Sequence, residues 1–239
     1  MKKLLIFLCI VLLGGCATTS ETIITPTPTP TINPLDLLYE VNHDYVIYTY
    51  DENNNWLDTS IQGLPYFNQT DPRWGNELIN DRPISITGCI PTNAAMIVNL
   101  LGSQDLTPYD LSVLFAEWKD MNVRYDGTMP TAWKKFAKEY DLDYVDKLSY
   151  EGLEKALRNG WLVVASVTGN PFTRDVVDED DWASHSILLY GLDKDGYTNV
   201  YDPYYTHNNH KFHISEIDEK KIVPRHNLRI SQYYAFARK

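Results

Sequence analysis

A change of periodicity near Gly160 constrains the fold of this chain more than any other feature. Before it, apolar residues recur at helical spacing; after it come β-branched and aromatic runs of strand length. The predicted helices cover residues 89–101, 107–118, 131–140 and 149–159. The predicted strands cover residues 161–167, 184–192, 197–202 and 228–237, with a short helix over residues 215–221. Helices followed by antiparallel strands predict an α+β domain.

The N-terminus has the pattern of a bacterial export signal. Lys2 and Lys3 precede an apolar run over residues 4–13, which is shorter than the roughly 20 residues that span a bilayer. The run ends in Leu-Gly-Gly followed by Cys16, which resembles the lipobox cut by lipoprotein signal peptidase. We therefore expect a signal peptide over residues 1–15, a lipid on Cys16, and an extracytoplasmic protein anchored to the bacterial cell membrane. The alternative is an ordinary secretory signal with an incidental cysteine.

Three further segments follow the signal. Residues 16–38 form a linker in which Thr and Pro alternate, a pattern that favours an extended polyproline helix. Residues 39–60 predict a β-hairpin extension, and residues 61–239 predict the catalytic domain. The formal net charge of −11 argues against a nucleic-acid partner, because phosphate binding requires a basic surface.

Cys89 is the candidate catalytic nucleophile. Cys9 and Cys16 lie in the export segment, so Cys89 is the only thiol in the body of the chain. It follows Gly88 and begins a helical pattern, and a helix N-terminus stabilises the thiolate that nucleophilic attack requires. The alternative is a buried structural cysteine.

A base for this thiol is predicted at His185. If the hairpin that follows it turns between residues 194 and 195, paired residue numbers sum to 389 and Ile187 faces Asp202. His185 and Ile187 share a face of the strand, so Asp202 is a diagonal neighbour of His185, within reach of its side chain. A carboxylate there orients the imidazole and stabilises its cation. The same geometry also suits a core histidine without catalytic function.

Gln69 is a candidate donor to an oxyanion. It ends an extended run over residues 64–69 that could lie beside the helix start. Its amide, together with the backbone N–H of Cys89, would then stabilise a tetrahedral intermediate.

Several motifs, in this order, resemble a known family, the cysteine peptidase C39-like domains. They are residues 66–74 (YFNQTDPRW), 88–96 (GCIPTNAAM), 107–108 (TP), 185–187 (HSI), 190–191 (YG) and 200–203 (VYDP). These domains are papain-fold relatives of the peptidases that remove double-glycine leaders from bacteriocins. The resemblance, over about residues 61–205, implies a papain-like fold with Cys89 as nucleophile, His185 as base, Asp202 as its orienting group and Gln69 as oxyanion donor.

Two polar clusters outside these motifs contain side chains that can bind metals. His207, His210 and His213 have a spacing that could bind zinc, but a polar surface loop is the simpler interpretation. Five carboxylates over residues 175–181 could bind calcium, and a solvated loop is again the default. We therefore predict no metal and no cofactor.

The functional prediction is a membrane-anchored extracytoplasmic cysteine peptidase, a thiol protease that hydrolyses a peptide or a peptidoglycan peptide. One alternative is a cell-wall peptide amidase or an acyl transferase that uses the same triad. The other is a non-catalytic surface binding module on a peptidase-like fold. The intact set Gln69, Cys89, His185 and Asp202 favours an enzyme, because a retired domain is expected to lose at least one of them.

Overall fold

The structure is a computed structural model. It describes residues 32–122, 127–128, 131–173, 184–220 and 232–239. The predicted signal peptide, Cys16, most of the linker and the acidic segment at residues 175–181 lie outside the described residues. Within the described part of the chain, no helix is both long enough and apolar enough to cross a bilayer.

The described residues form thirteen strands and six α-helices. The strands are β1 (Val46–Tyr50), β2 (Trp56–Ile61), β3 (Leu78–Ile79), β4 (Arg82–Pro83), β5 (Met121–Asn122), β6 (Gly127–Thr128), β7 (Leu142–Asp146), β8 (Leu162–Val167), β9 (His185–Tyr190), β10 (Leu192–Asp193), β11 (Tyr197–Tyr201), β12 (Lys211–His213) and β13 (Tyr233–Arg238). The helices are α1 (Ile84–Thr87), α2 (Cys89–Leu101), α3 (Pro108–Glu117), α4 (Ala132–Glu139), α5 (Tyr150–Arg158) and α6 (Ile214–Glu219). Short 3-10 turns cover Pro34–Leu37 and Thr206–Asn208.

A six-stranded antiparallel sheet organises the domain, with strand order β12-β11-β9-β8-β13-β7. Every residue of β8 is buried, which explains why its sequence is apolar except at Ser166, because a strand covered on both faces has no polar side. Helix α2 packs against β9 and β13, α4 against β7, and α5 against β8. This confirms the predicted α+β class, with helices packed on an antiparallel sheet.

The predicted helices form where local signals place them. Helix α2 begins at Cys89 and ends before Gly102, whose N–H donates to the carbonyl of Val98. Helix α3 begins with a capping box in which the Thr107 side chain and the Asp110 carboxylate bond each other's backbone N–H groups. Helices α4 and α5 each match their predicted range to within one residue at either end.

The sheet departs from the prediction in three places, one of which is β12, an edge strand that pairs with β11 where no strand was predicted. Strand β7 enters the sheet edge between α4 and α5, so strands do not come only after the helices. The predicted strand 184–192 is divided, because Gly191 has a φ of +67° and turns the chain out of β9. Leu192 and Asp193 then pair with β2, which joins the β1-β2 hairpin to the rest of the domain.

Candidate active site

Cys89 lies at the N-terminal end of α2, a helix of thirteen residues, and its thiol is free and half-buried. Gly88 precedes it and donates its N–H to the carbonyl of Ile84 at 2.8 Å. A Cβ atom at Gly88 would lie 2.5 Å from that carbonyl oxygen, so only glycine allows α1 to run this tightly into α2. The partial positive charge of the helix start therefore lies beside Cys89.

His185 is the first residue of β9, and its side chain is only 8% exposed. The pairing of β9 with β11 has the register predicted for the hairpin, since Leu188 faces Tyr201 and the residue numbers sum to 389. In that register Asp202 follows β11 diagonally from His185. The Nε2 atom of His185 lies 2.7 Å from Oδ1 of Asp202.

The carboxylate of Asp202 is fully buried and receives hydrogen bonds at both oxygens. Oδ1 accepts from His185 and from the backbone N–H groups of Tyr204 and Tyr205, both at 2.9 Å, while Oδ2 accepts from Nδ2 of Asn208 at 2.8 Å. Burial raises the pKa of Asp202, but these hydrogen bonds outweigh it and hold the pKa below its usual range. The carboxylate is therefore ionised and fixed in direction.

His185 stands between this carboxylate and the thiol. Burial lowers the pKa of His185, yet its hydrogen bonds to Asp202 and to Cys89 outweigh burial and raise the pKa to about 9. Because Nε2 is bonded to Asp202, Nδ1 is the ring nitrogen that remains for Cys89. At neutral pH the imidazole of His185 therefore holds a proton beside Cys89, and a cysteine nucleophile needs a histidine partner of this kind.

Gln69 connects the turn after β11 with α1, the short helix that precedes Cys89. Its backbone N–H donates to the carbonyl of Pro203 at 2.7 Å, and its Nε2 donates to the carbonyl of Ser85 at 3.0 Å. Ser85 lies in α1, four residues before Cys89. The amide nitrogen of Gln69 carries a second hydrogen, and its predicted use as an oxyanion donor stays a prediction.

Asn208 is a residue of the site that sequence reasoning missed. It lies in the turn after β11 and is 1% exposed, and it donates both to Asp202 and to the carbonyl of Pro171 at 3.1 Å. In the sequence, it stands between His207 and His210 in a polar stretch that resembles a surface loop. Nothing local distinguishes it, because its role depends on the position of Asp202 in the folded chain.

The histidines of that stretch serve local contacts. His213 accepts at Nδ1 from the backbone N–H of Ser215, at the start of α6, and Nδ1 of His210 lies 3.1 Å from the carbonyl of His207. Across the described ranges, no three His, Cys, Asp or Glu side chains are grouped as a metal site. The acidic segment at residues 175–181 lies outside those ranges.

Comparison with known proteins agrees with the motifs. A model of the Peptidase_C39 like family matches residues 61–226, which include Gln69, Cys89, His185 and Asp202. No curated protein matches the chain at a significant level. A solved structure, described as a candidate C39-like peptidase from Bacillus anthracis, is similar with a TM-score of 0.44 and 15% identity, over 74% of this chain and 96% of that one. On the family match, this chain belongs to the Peptidase_C39 like family.

Proposed function

We propose that the protein is a cysteine peptidase in which Cys89 is the nucleophile, His185 the acid and base, and Asp202 the group that orients His185. The observation that carries this proposal is the position of the buried His185 ring, which is bonded to Asp202 through Nε2 and lies close enough to Cys89 for the thiol to raise its pKa. A cysteine with a purely structural role requires neither an ionised partner nor a position at the start of a helix. Cys89 has both, with His185 as the partner and α2 as the helix.

The geometry supports an acyl-transfer mechanism. Nδ1 of His185 takes the thiol proton, and the sulfur of Cys89 attacks the carbonyl carbon of the scissile amide. The oxyanion would be held by the backbone N–H of Cys89 and by the Gln69 amide. His185 then gives its proton to the departing amine as the C–N bond breaks. Water, deprotonated by His185, cleaves the thioester and releases the acid and the free thiol.

The reactivity of the thiol tests this function directly. We expect iodoacetamide to label Cys89 rapidly at neutral pH and His185→Ala to slow the labelling by at least about tenfold, because the base and its charge are lost. Cleavage of a peptide library should be abolished in Cys89→Ala. A thiol that reacts no faster than free cysteine and does not respond to His185→Ala would refute the proposal.

We further propose that the substrate is a peptide or a peptidoglycan peptide outside the cytoplasm, and that a lipid on Cys16 anchors the enzyme. The support is the sequence of the first sixteen residues, with its short apolar run and small residues before the cysteine. Metabolic labelling with radioactive palmitate should tag the wild type and leave Cys16→Ala unlabelled. Label on Cys16→Ala would refute the anchor. Products from cell-wall fragments would distinguish hydrolysis from transfer to an amine.

A further inference from the structure

A buried side chain ties the helix that carries the thiol to the strand that carries the imidazole. Asn93 lies one turn after Cys89 on α2 and is fully buried. Its Nδ2 donates to the carbonyl of Ser186 at 2.8 Å, and Ser186 is the residue next to His185 on β9.

The carbonyl of Ser186 points away from β8. Ser166 of β8 stands opposite Ser186, but its N–H donates in the other direction, to the carbonyl of Gln232 at 2.8 Å. In an antiparallel ladder, opposed residues either exchange both hydrogen bonds or turn both peptide groups outward. Ser186 therefore turns its N–H and its carbonyl toward the β11 side of β9.

On the β11 side, the ladder has ended before it reaches Ser186. The final pair of this ladder joins Leu188 to Tyr201, and continuing that register places Pro203 opposite Ser186. Proline has no N–H, so it cannot supply the missing hydrogen bond. The amide of Asn93 takes the place of the absent strand donor, and it does so from the helix of Cys89.

We propose that Asn93 is a positioning residue that sets the distance between Cys89 and His185, a role that rests on the proposed function. Apolar packing buries α2, but packing alone leaves it freer to slide along its axis than a directional hydrogen bond does. The Asn93 bond fixes α2 at a point about 6 Å along the helix axis from Cys89, four residues at about 1.5 Å each. A thiol–imidazole contact needs placement within about 0.5 Å, so loss of this bond should return the proton to the sulfur.

The test compares alkylation of Cys89 by iodoacetamide at about pH 6 and about pH 9.5, conditions on either side of the titration of an ordinary thiol. Asn93→Leu keeps the size of the side chain and removes the donor. We expect its rate at the lower pH to fall by about 10- to 100-fold, while its rate at the higher pH changes by less than about threefold. A role in stability alone would not change the ratio of the two rates.

Asn99→Leu is the matched control. Asn99 lies on the same helix and also donates its side-chain amide to a backbone carbonyl, that of Leu106 at 3.1 Å. It has the same kind of bond at the other end of α2, so we expect lower thermal stability with the wild-type ratio of alkylation rates.

The outcomes separate this proposal from the proposed function. A wild-type ratio in Asn93→Leu would overturn the positioning role and leave the peptidase proposal intact. If the wild type itself alkylates like free cysteine, the peptidase proposal fails, and the positioning role fails with it. If Asn93→Leu does not fold, Asn93→Ser carries the test, because a water can fill the space left by the shorter side chain. The same fall in ratio is then expected, and an unchanged ratio overturns the role.

Discussion

Replacing Asp202 with asparagine tests what holds the proton on His185. The ordinary pKa of histidine is 6.5, and in this site the pKa of His185 is about 9. At about 1.4 kcal/mol for each tenfold change, the difference corresponds to about 3 kcal/mol in favour of the protonated ring. Asp202 acts on the ring more strongly than Cys89 does, so loss of the Asp202 charge should remove most of this preference.

The pH window follows from the direction of the shift. A pKa of His185 above its unfolded value adds stability that is complete below about pH 6.5 and is lost as pH rises through about 9. In Asp202→Asn, most of that contribution disappears, so the variant should be less sensitive to pH across this window. The wild type should therefore have a larger free energy of unfolding than the variant. The difference between them should be about 2 kcal/mol larger at the low-pH end of this window than at its high-pH end.

A second cost of Asp202→Asn is independent of pH. The new amide can keep its oxygen toward His185, Tyr204 and Tyr205, but its nitrogen then faces Nδ2 of Asn208, which is also a donor. Loss of that hydrogen bond should cost about 1–3 kcal/mol at every pH. The two costs are separable, because only the histidine contribution changes across the window.

Urea denaturation at several pH values between about 6 and 9.5 measures both costs. Asp193→Asn is the control, because Asp193 also accepts from a cation and from two backbone N–H groups but lies on a different turn. The pKa of Asp193 is lowered despite burial, mainly by Lys211, so its stabilisation is lost only in acid. If the difference in unfolding free energy between the wild type and Asp202→Asn does not change with pH, the conclusion that Asp202 holds a proton on His185 is refuted.

Two further substitutions address the nucleophile and the oxyanion. Gln69→Ala should lower kcat for peptide cleavage by about 100-fold and leave the alkylation rate of Cys89 within about threefold, because alkylation forms no oxyanion. Equal losses in both assays would instead mean that Gln69 affects the reactivity of the Cys89 thiol itself. Gly88→Ala places a methyl group 2.5 Å from the carbonyl oxygen of Ile84, and should destabilise the fold by about 1–3 kcal/mol and slow alkylation. Thermal unfolding and the alkylation rate measure the two effects, and a wild-type value for both would contradict the close approach.

The parts of the fold that follow local rules could be predicted from the sequence. Thr107 and Pro108 start α3 through a capping box, and Gly102 ends α2, because these effects act within one turn. The contact between His185 and Asp202 could be predicted from the register of one hairpin, because antiparallel pairing fixes which residues face each other.

Features set by distant partners could not be predicted. Strand β7 is a strand because β13, about ninety residues later in the chain, pairs with it at the sheet edge. Its sequence alternates only weakly between polar and apolar residues. In the sequence, Asn208 has the context of a loop residue. Its partner, Asp202, becomes a buried carboxylate only when the sheet and the following turn have formed, so the contact could not be predicted from the sequence.

The three buried amides around the site have one cause in common. Each catalytic candidate stands where regular structure stops: Cys89 at a helix start, His185 at the first residue of a strand, and Asp202 just past the end of another. Backbone carbonyls and carboxylates at such ends lack ladder donors, and burying them unpaired would be costly. Side-chain amides provide the missing donors, with Gln69 on Ser85, Asn93 on Ser186 and Asn208 on Asp202. Asn93 joins α2 to β9, Gln69 joins α1 to the turn after β11, and Asn208 holds Asp202 within that turn, so the hydrogen bonds that satisfy these buried chain ends also hold the three catalytic candidates together.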